Sequence, residues 1–167
     1  HDACNIPRIY EQLKTKGEDG RYPDIVLASR FMEGSGEYPV GHMRKLAYGL
    51  FRWLIRLSTG RKIADPTTGL QGLSRKAFLY YSKYKHFDDK YPDANMIIQM
   101  LLLGFKIEEI PAVMHHRDCG ESMHSGLKPL VYMIRMVFSI IGVVFRVKVL
   151  KIDKGVGEKD DVLEYRS

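Results

Sequence analysis

Between Leu127 and Leu150 the chain is mostly apolar, and most of its few polar positions fall on one line. Lys128, Arg135, Ser139, Gly142 and Arg146 recur at steps of three, four and seven, which is the spacing of one narrow helix face. A helix that is apolar around most of its circumference has two destinations, a protein interior or a lipid interface. The longest uncharged run, Met136 to Phe145, is shorter than the ~20 apolar residues of a simple membrane span. The pattern therefore predicts an amphipathic, membrane-associated helical segment over 127–152, lying among lipid headgroups, with a buried core helix as the alternative. Residues 153–167 read as a polar, frayed tail.

The part before it, 1–126, alternates helical and strand patterns, so an α/β architecture is expected. Ile6, Ile9, Tyr10 and Leu13 sit at helical spacing, with Asn5 as the expected cap and Pro7 in the first turn. Asp24–Ser29 reads as a buried strand, and 31–41, rich in Gly and Pro, as a loop. Residues 42–58 form a helix whose apolar face is expected to be Met43, Leu46, Ala47, Leu50, Leu54 and Leu57, with Lys45, Arg52 and Arg56 elsewhere. A loop with a short strand spans 60–72, and a short helix spans Arg75–Tyr81. Asp93 caps a helix over 94–103 that Gly104 closes, and 105–114, with its Pro111, suits an edge strand.

With 167 residues, 45% of them hydrophobic, the chain can bury a core and is not disordered. Its formal charge of +6 suits phosphates, nucleic acid or anionic lipid. No nucleic-acid motif and no aromatic stacking pattern accompanies the basic residues, so nucleic acid is not an expected partner. Cys4 and Cys119 are too few for a disulfide framework and read as reduced thiols in a cytosolic setting. His1-Asp2-Ala3 reads like the interior of a loop, so the chain is expected to be a fragment.

Three constellations offer chemistry. Asp65-Pro66-Thr67-Thr68-Gly69-Leu70-Gln71-Gly72 is a turn whose glycines would let backbone approach a ligand. Asp93, after Tyr91-Pro92, is either a helix cap or a general base. His115-His116-Arg117-Asp118-Cys119-Gly120-Glu121-Ser122-Met123-His124 invites a zinc reading, but adjacent histidines point apart in an extended chain and no paired cysteines accompany them. A loop whose Arg117 and Ser122 meet a diphosphate fits better, since Arg offers a planar fork of donors to phosphate oxygens.

Taken in order, these segments resemble family 2 glycosyltransferases of the GT-A fold, and especially bacterial members that end in amphipathic membrane-associated helices. The similar stretches are His1-Asp2, Asp24-Ile25-Val26-Leu27-Ala28-Ser29-Arg30-Phe31, Asp65 to Arg75, Tyr91-Pro92-Asp93, Gly104 to Ala112 and Arg117 to Ser122. The resemblance implies a partial, Rossmann-like GT-A domain whose N-terminal nucleotide-binding half is missing. It implies sugar transfer from a nucleotide-diphospho-sugar donor to a lipid-linked or polysaccharide acceptor, in cell-envelope glycan synthesis at the cytoplasmic face of the membrane. By position, Arg30, Arg44, Arg117 and Ser122 would meet the donor diphosphate, Asp65 and Gly69 would line the acceptor side, and Asp93 would be the catalytic base. The divalent metal of the family, Mg or Mn, would belong to an Asp-x-Asp outside this chain, so no metal ligand is expected within it, and these 167 residues alone are expected to be inactive. A non-catalytic membrane-surface module is the alternative.

Overall fold

The computed structural model describes residues 2–35, 40–83, 92–113 and 128–158. It is a mixed α/β structure built on one small sheet. In chain order the elements are helix α1 (Asn5–Leu13), strand β1 (Ile25–Ser29), helix α2 (His42–Thr59), strand β2 (Gln71–Leu73), helix α3 (Arg75–Tyr81), helix α4 (Ala94–Leu102), strand β3 (Ile107–Pro111) and helix α5 (Lys128–Val144). A π-helical turn, Phe145–Val149, extends α5, and a short 3-10 turn, Val156–Glu158, follows it.

Strand β1 is central: it pairs antiparallel with β2 and parallel with β3. The parallel register sets Ile25 opposite Ile107 and Ser29 opposite Pro111. Every residue of β1 is buried because both sheet faces are covered. Ile25 and Leu27 point into a core shared with α2, α4 and α5, whereas Val26 and Ala28 meet Ile9 of α1 on the other face. Within the described residues β3 pairs only with β1, the edge position that Pro111 favours.

Helix α4 is buried along most of its length, from Ala94 to Met100, because it is wedged between α2 and α5. Its two polar residues need partners there. The Asn95 amide donates to Ser139 Oγ of α5 at 2.9 Å. Thus part of the polar line foreseen on α5 faces inward: Ser139 meets α4, and Arg146 donates to Tyr80 and Asp153. Met133, Met136, Ile140 and Val147 complete the inward face and belong to the same core as β1.

Four expectations are corrected. Asn5 does not cap α1; it is the first helical residue, and its side chain exchanges hydrogen bonds with the backbone of Val113 at 2.8 and 3.1 Å, tying α1 to the chain after β3. The buried line of α2 is Ala47-Phe51-Ile55, while Met43, Leu46 and Leu57 lie outside. Leu130–Val149 is a 20-residue helix that meets the length and apolarity of a membrane span, although one such helix is also what a soluble core uses. The tail is held before it leaves the described residues. Gly157 is buried, its N–H donates to Leu103 O at 2.9 Å, and its carbonyl accepts from Lys76 Nζ at 2.8 Å.

Candidate functional site

Parallel strands deliver side chains at their carboxyl ends, and a buried polar cluster lies where β1 ends. Arg30 follows Ser29 directly. Both oxygens of Asp65 accept from it: Oδ2 from the Arg30 backbone N–H at 3.0 Å and from Nε at 2.7 Å, Oδ1 from Nη2 at 2.6 Å. Nη2 also reaches Thr67 Oγ1 at 2.8 Å. Asp65 has no exposed surface, so this charge is compensated entirely inside the protein. The guanidinium lies over the rings of Phe31 and Tyr48, and Arg52 also lies over Phe31 while its Nε donates to Ala64 O at 2.7 Å.

Glu109 holds this turn from below. Its two oxygens accept from the Ala64 and Asp65 backbone N–H groups at 2.7 and 3.0 Å. Burial pushes its carboxyl above the ordinary range, against the pull of those donors. Ile107 and Glu109 share one face of β3, so a carboxylate is placed beside a core position and must find buried donors. Glu108, on the other face, accepts from Gln12 of α1 at 2.6 Å.

Asp93 stands at the start of α4 with its backbone at φ −117°, ψ −127°, and its side chain makes no capping bond. Instead its Oδ2 accepts a hydrogen bond from the Tyr132 hydroxyl of α5. Asp93 therefore holds the expected N-cap position, its carbonyl accepting from Met96 and Ile97, but its side chain does not do the capping. The Tyr132 ring stands edge-on to Phe51, with centroids 5.9 Å apart. Neighbouring residues of α2 therefore serve two groups: Phe51 backs the Tyr132–Asp93 pair, and Arg52 backs the Arg30–Asp65 turn.

The remaining expected site residues divide clearly. Arg44 lies in the first turn of α2, half-buried, one helical turn before Tyr48. Gly69 is exposed and a Cβ there would meet nothing, whereas one on Gly72 would come within 2.1 Å of Ile9 Cγ2. Gly72 thus serves the packing of α1, and only Gly69 leaves room for a ligand. Arg117, Ser122 and the His115–His124 segment lie outside the described residues, as does Tyr91. Among the described residues no three His, Cys, Asp or Glu side chains come together as a metal site. Sequence reasoning missed Glu109, Arg52, Thr67 and Tyr132. Glu109 was detectable, as an acid two residues from Ile107 in a strand pattern; Tyr132 was not, because nothing local distinguishes it from the apolar residues around it. No protein-family model and no curated protein sequence matches the chain.

Proposed function

We propose that this chain is the acceptor-side portion of a family 2 glycosyltransferase of the GT-A fold. It would act at the cytoplasmic face of a membrane on a nucleotide-diphospho-sugar donor and a lipid-linked or glycan acceptor. The reading is supported by the ordered motifs from Asp24 to Ser122 and, above all, by Asp93. Its carboxylate is not used as a helix cap but is held by a hydroxyl from the helix expected to face lipid. In a direct displacement, Asp93 takes the proton of the acceptor hydroxyl as that oxygen bonds the anomeric carbon and the nucleotide diphosphate leaves. Arg30 has its fork filled by Asp65, so in this reading it shapes the 65–69 turn, and Arg44, Arg117 and Ser122 are left to meet the diphosphate. The family's divalent metal would be held by an Asp-x-Asp, and this sequence contains none.

Transfer of radiolabelled sugar to a polyprenyl acceptor tests this in a polypeptide that carries these residues behind an Asp-x-Asp segment. Asp93→Asn should lower kcat by about 10²-fold or more with little change in donor KM, as expected for loss of a base. Tyr132→Phe, which keeps the ring on Phe51, should give a smaller fall. Full transfer by Asp93→Asn would refute the role. The outward apolar line of α5, including Ile134, Phe138, Ile141 and Phe145, favours a second reading, a membrane-surface module without chemistry. Vesicle binding with no transfer at all would support that one.

A further inference from the structure

Three residues of α2 that the sequence pattern assigns to a core face, Met43, Leu46 and Leu57, are turned away from it. Met43, Leu46, Trp53 and Leu57 lie on one line at steps of three, seven and four, and each exposes half or more of its surface. Trp53 is 58% exposed. Beside this line runs a basic one: Lys45 and Arg56, three turns apart, are exposed, and Arg61 and Lys62 follow, also exposed, after the left-handed Gly60. From residue 40 to 64 there is no Asp or Glu, against Arg44, Lys45, Arg52, Arg56, Arg61 and Lys62.

We propose that α2 is a docking surface for an anionic phospholipid bilayer, separate from any contact made by α5. An apolar strip flanked by a basic strip matches a lipid interface, where side chains sink to the acyl boundary and cations stay among phosphates. A tryptophan on the apolar strip, beside the basic one, is the residue suited to that boundary. A protein interface core would be depleted in lysine, and its partner would have to supply acids opposite every basic position. The setting rests on the membrane-side reading of the enzyme, but the surface does not require sugar transfer, and each can fail alone.

Trp53 is the single tryptophan of the chain, so its emission reports α2 and nothing else. Vesicles of phosphatidylcholine with one quarter phosphatidylglycerol should shift that emission to shorter wavelength, and brominated acyl chains should quench it. Lys45→Glu with Arg56→Glu should weaken partitioning at least roughly thirtyfold, from the loss of two surface cations near anionic lipid. Leu46→Gln with Leu57→Gln, both at exposed positions, should weaken it while leaving the circular dichroism unchanged. Cosedimentation with vesicles without any Trp53 shift would overturn the proposal, since docking would then run through α5. Equal shifts on neutral vesicles, insensitive to salt, would overturn the anionic headgroup. A shift that grows with protein concentration in the absence of lipid would make the occupant a second copy.

Discussion

Replacing Asp65 by Asn tests whether the end of β1 is held by charge. The carboxylate accepts three hydrogen bonds from Arg30, at 2.6, 2.7 and 3.0 Å, and one from the Thr67 N–H at 3.3 Å. Asn keeps the shape but puts an amide NH2 against one set of these donors, and it removes the anion opposite a guanidinium whose side chain is 12% exposed. Breaking one partner of a buried pair costs about 3–5 kcal/mol, because the other charge stays desolvated and unpaired. A domain of this size is stable by roughly 5–15 kcal/mol, so the variant should remain folded but become marginal. With roughly 2–4 °C lost per kcal/mol, its melting temperature should fall by about 10 °C. Urea unfolding followed by circular dichroism gives the difference directly. Asp153→Asn provides the contrast, since its partner pair with Arg146 is about 30% exposed on both sides and should be worth about 1 kcal/mol or less. If Asp65→Asn costs no more than Asp153→Asn, the clasp described at the site is not what holds the turn.

Gly157→Ala should destabilise by about 1–3 kcal/mol, because its Cβ would fall 2.3 Å from Phe105 N and 2.5 Å from Gly104 C, both of them backbone. Gly69→Ala, in open space, should stay within about 0.5 kcal/mol, so any loss of activity there would report a ligand rather than the fold. Glu109 sets a pH dependence of definite sign. Its folded carboxyl is raised above 4.5, so its contribution is fully present below pH 4.5 and is lost as the pH rises through the folded value. The stability of the wild type relative to Glu109→Gln should therefore shrink as pH increases above 4.5, and growth of that difference would contradict the burial of Glu109.

How much of this was legible beforehand depends on where the deciding contact lies. Strand β1 and helix α3 could be read locally: a run of β-branched residues, and Ser74 accepting from the Ala77 N–H at 3.2 Å as a cap. Helix α2 was found within a residue, but its face only in part: Ala47, Leu50 and Leu54 reach the core, while Met43, Leu46 and Leu57 do not. It carries apolar residues on two lines, Met43-Leu46-Leu50-Leu57 and Ala47-Phe51-Ile55, and periodicity alone gives no preference between them. The choice is made by α4, which meets the second line and leaves most of the first outside. Asp93 shows the same limit: it takes the cap position the pattern indicated, but its carboxylate accepts from Tyr132, 39 residues away.

These two misreadings have one origin, and it bears on function. Helix α4 is so apolar that it must be enclosed, and enclosing it takes one face each of α2 and α5. Both outer helices are apolar on more than the face thus used, so each is left with apolar surface toward solvent: Leu46 and Leu57 on α2, Ile134 and Phe138 on α5. Such surface weakens solubility and is kept where something covers it. The enclosure also brings Tyr132 of α5 onto Asp93 and Phe51 of α2 onto Tyr132. Any binding that shifts α2 or α5 against α4 would therefore reach Asp93 by way of the Tyr132 hydroxyl. In the proposed reading, contact with a membrane and readiness of the proposed base would be mechanically linked, because the same packed helices would carry both.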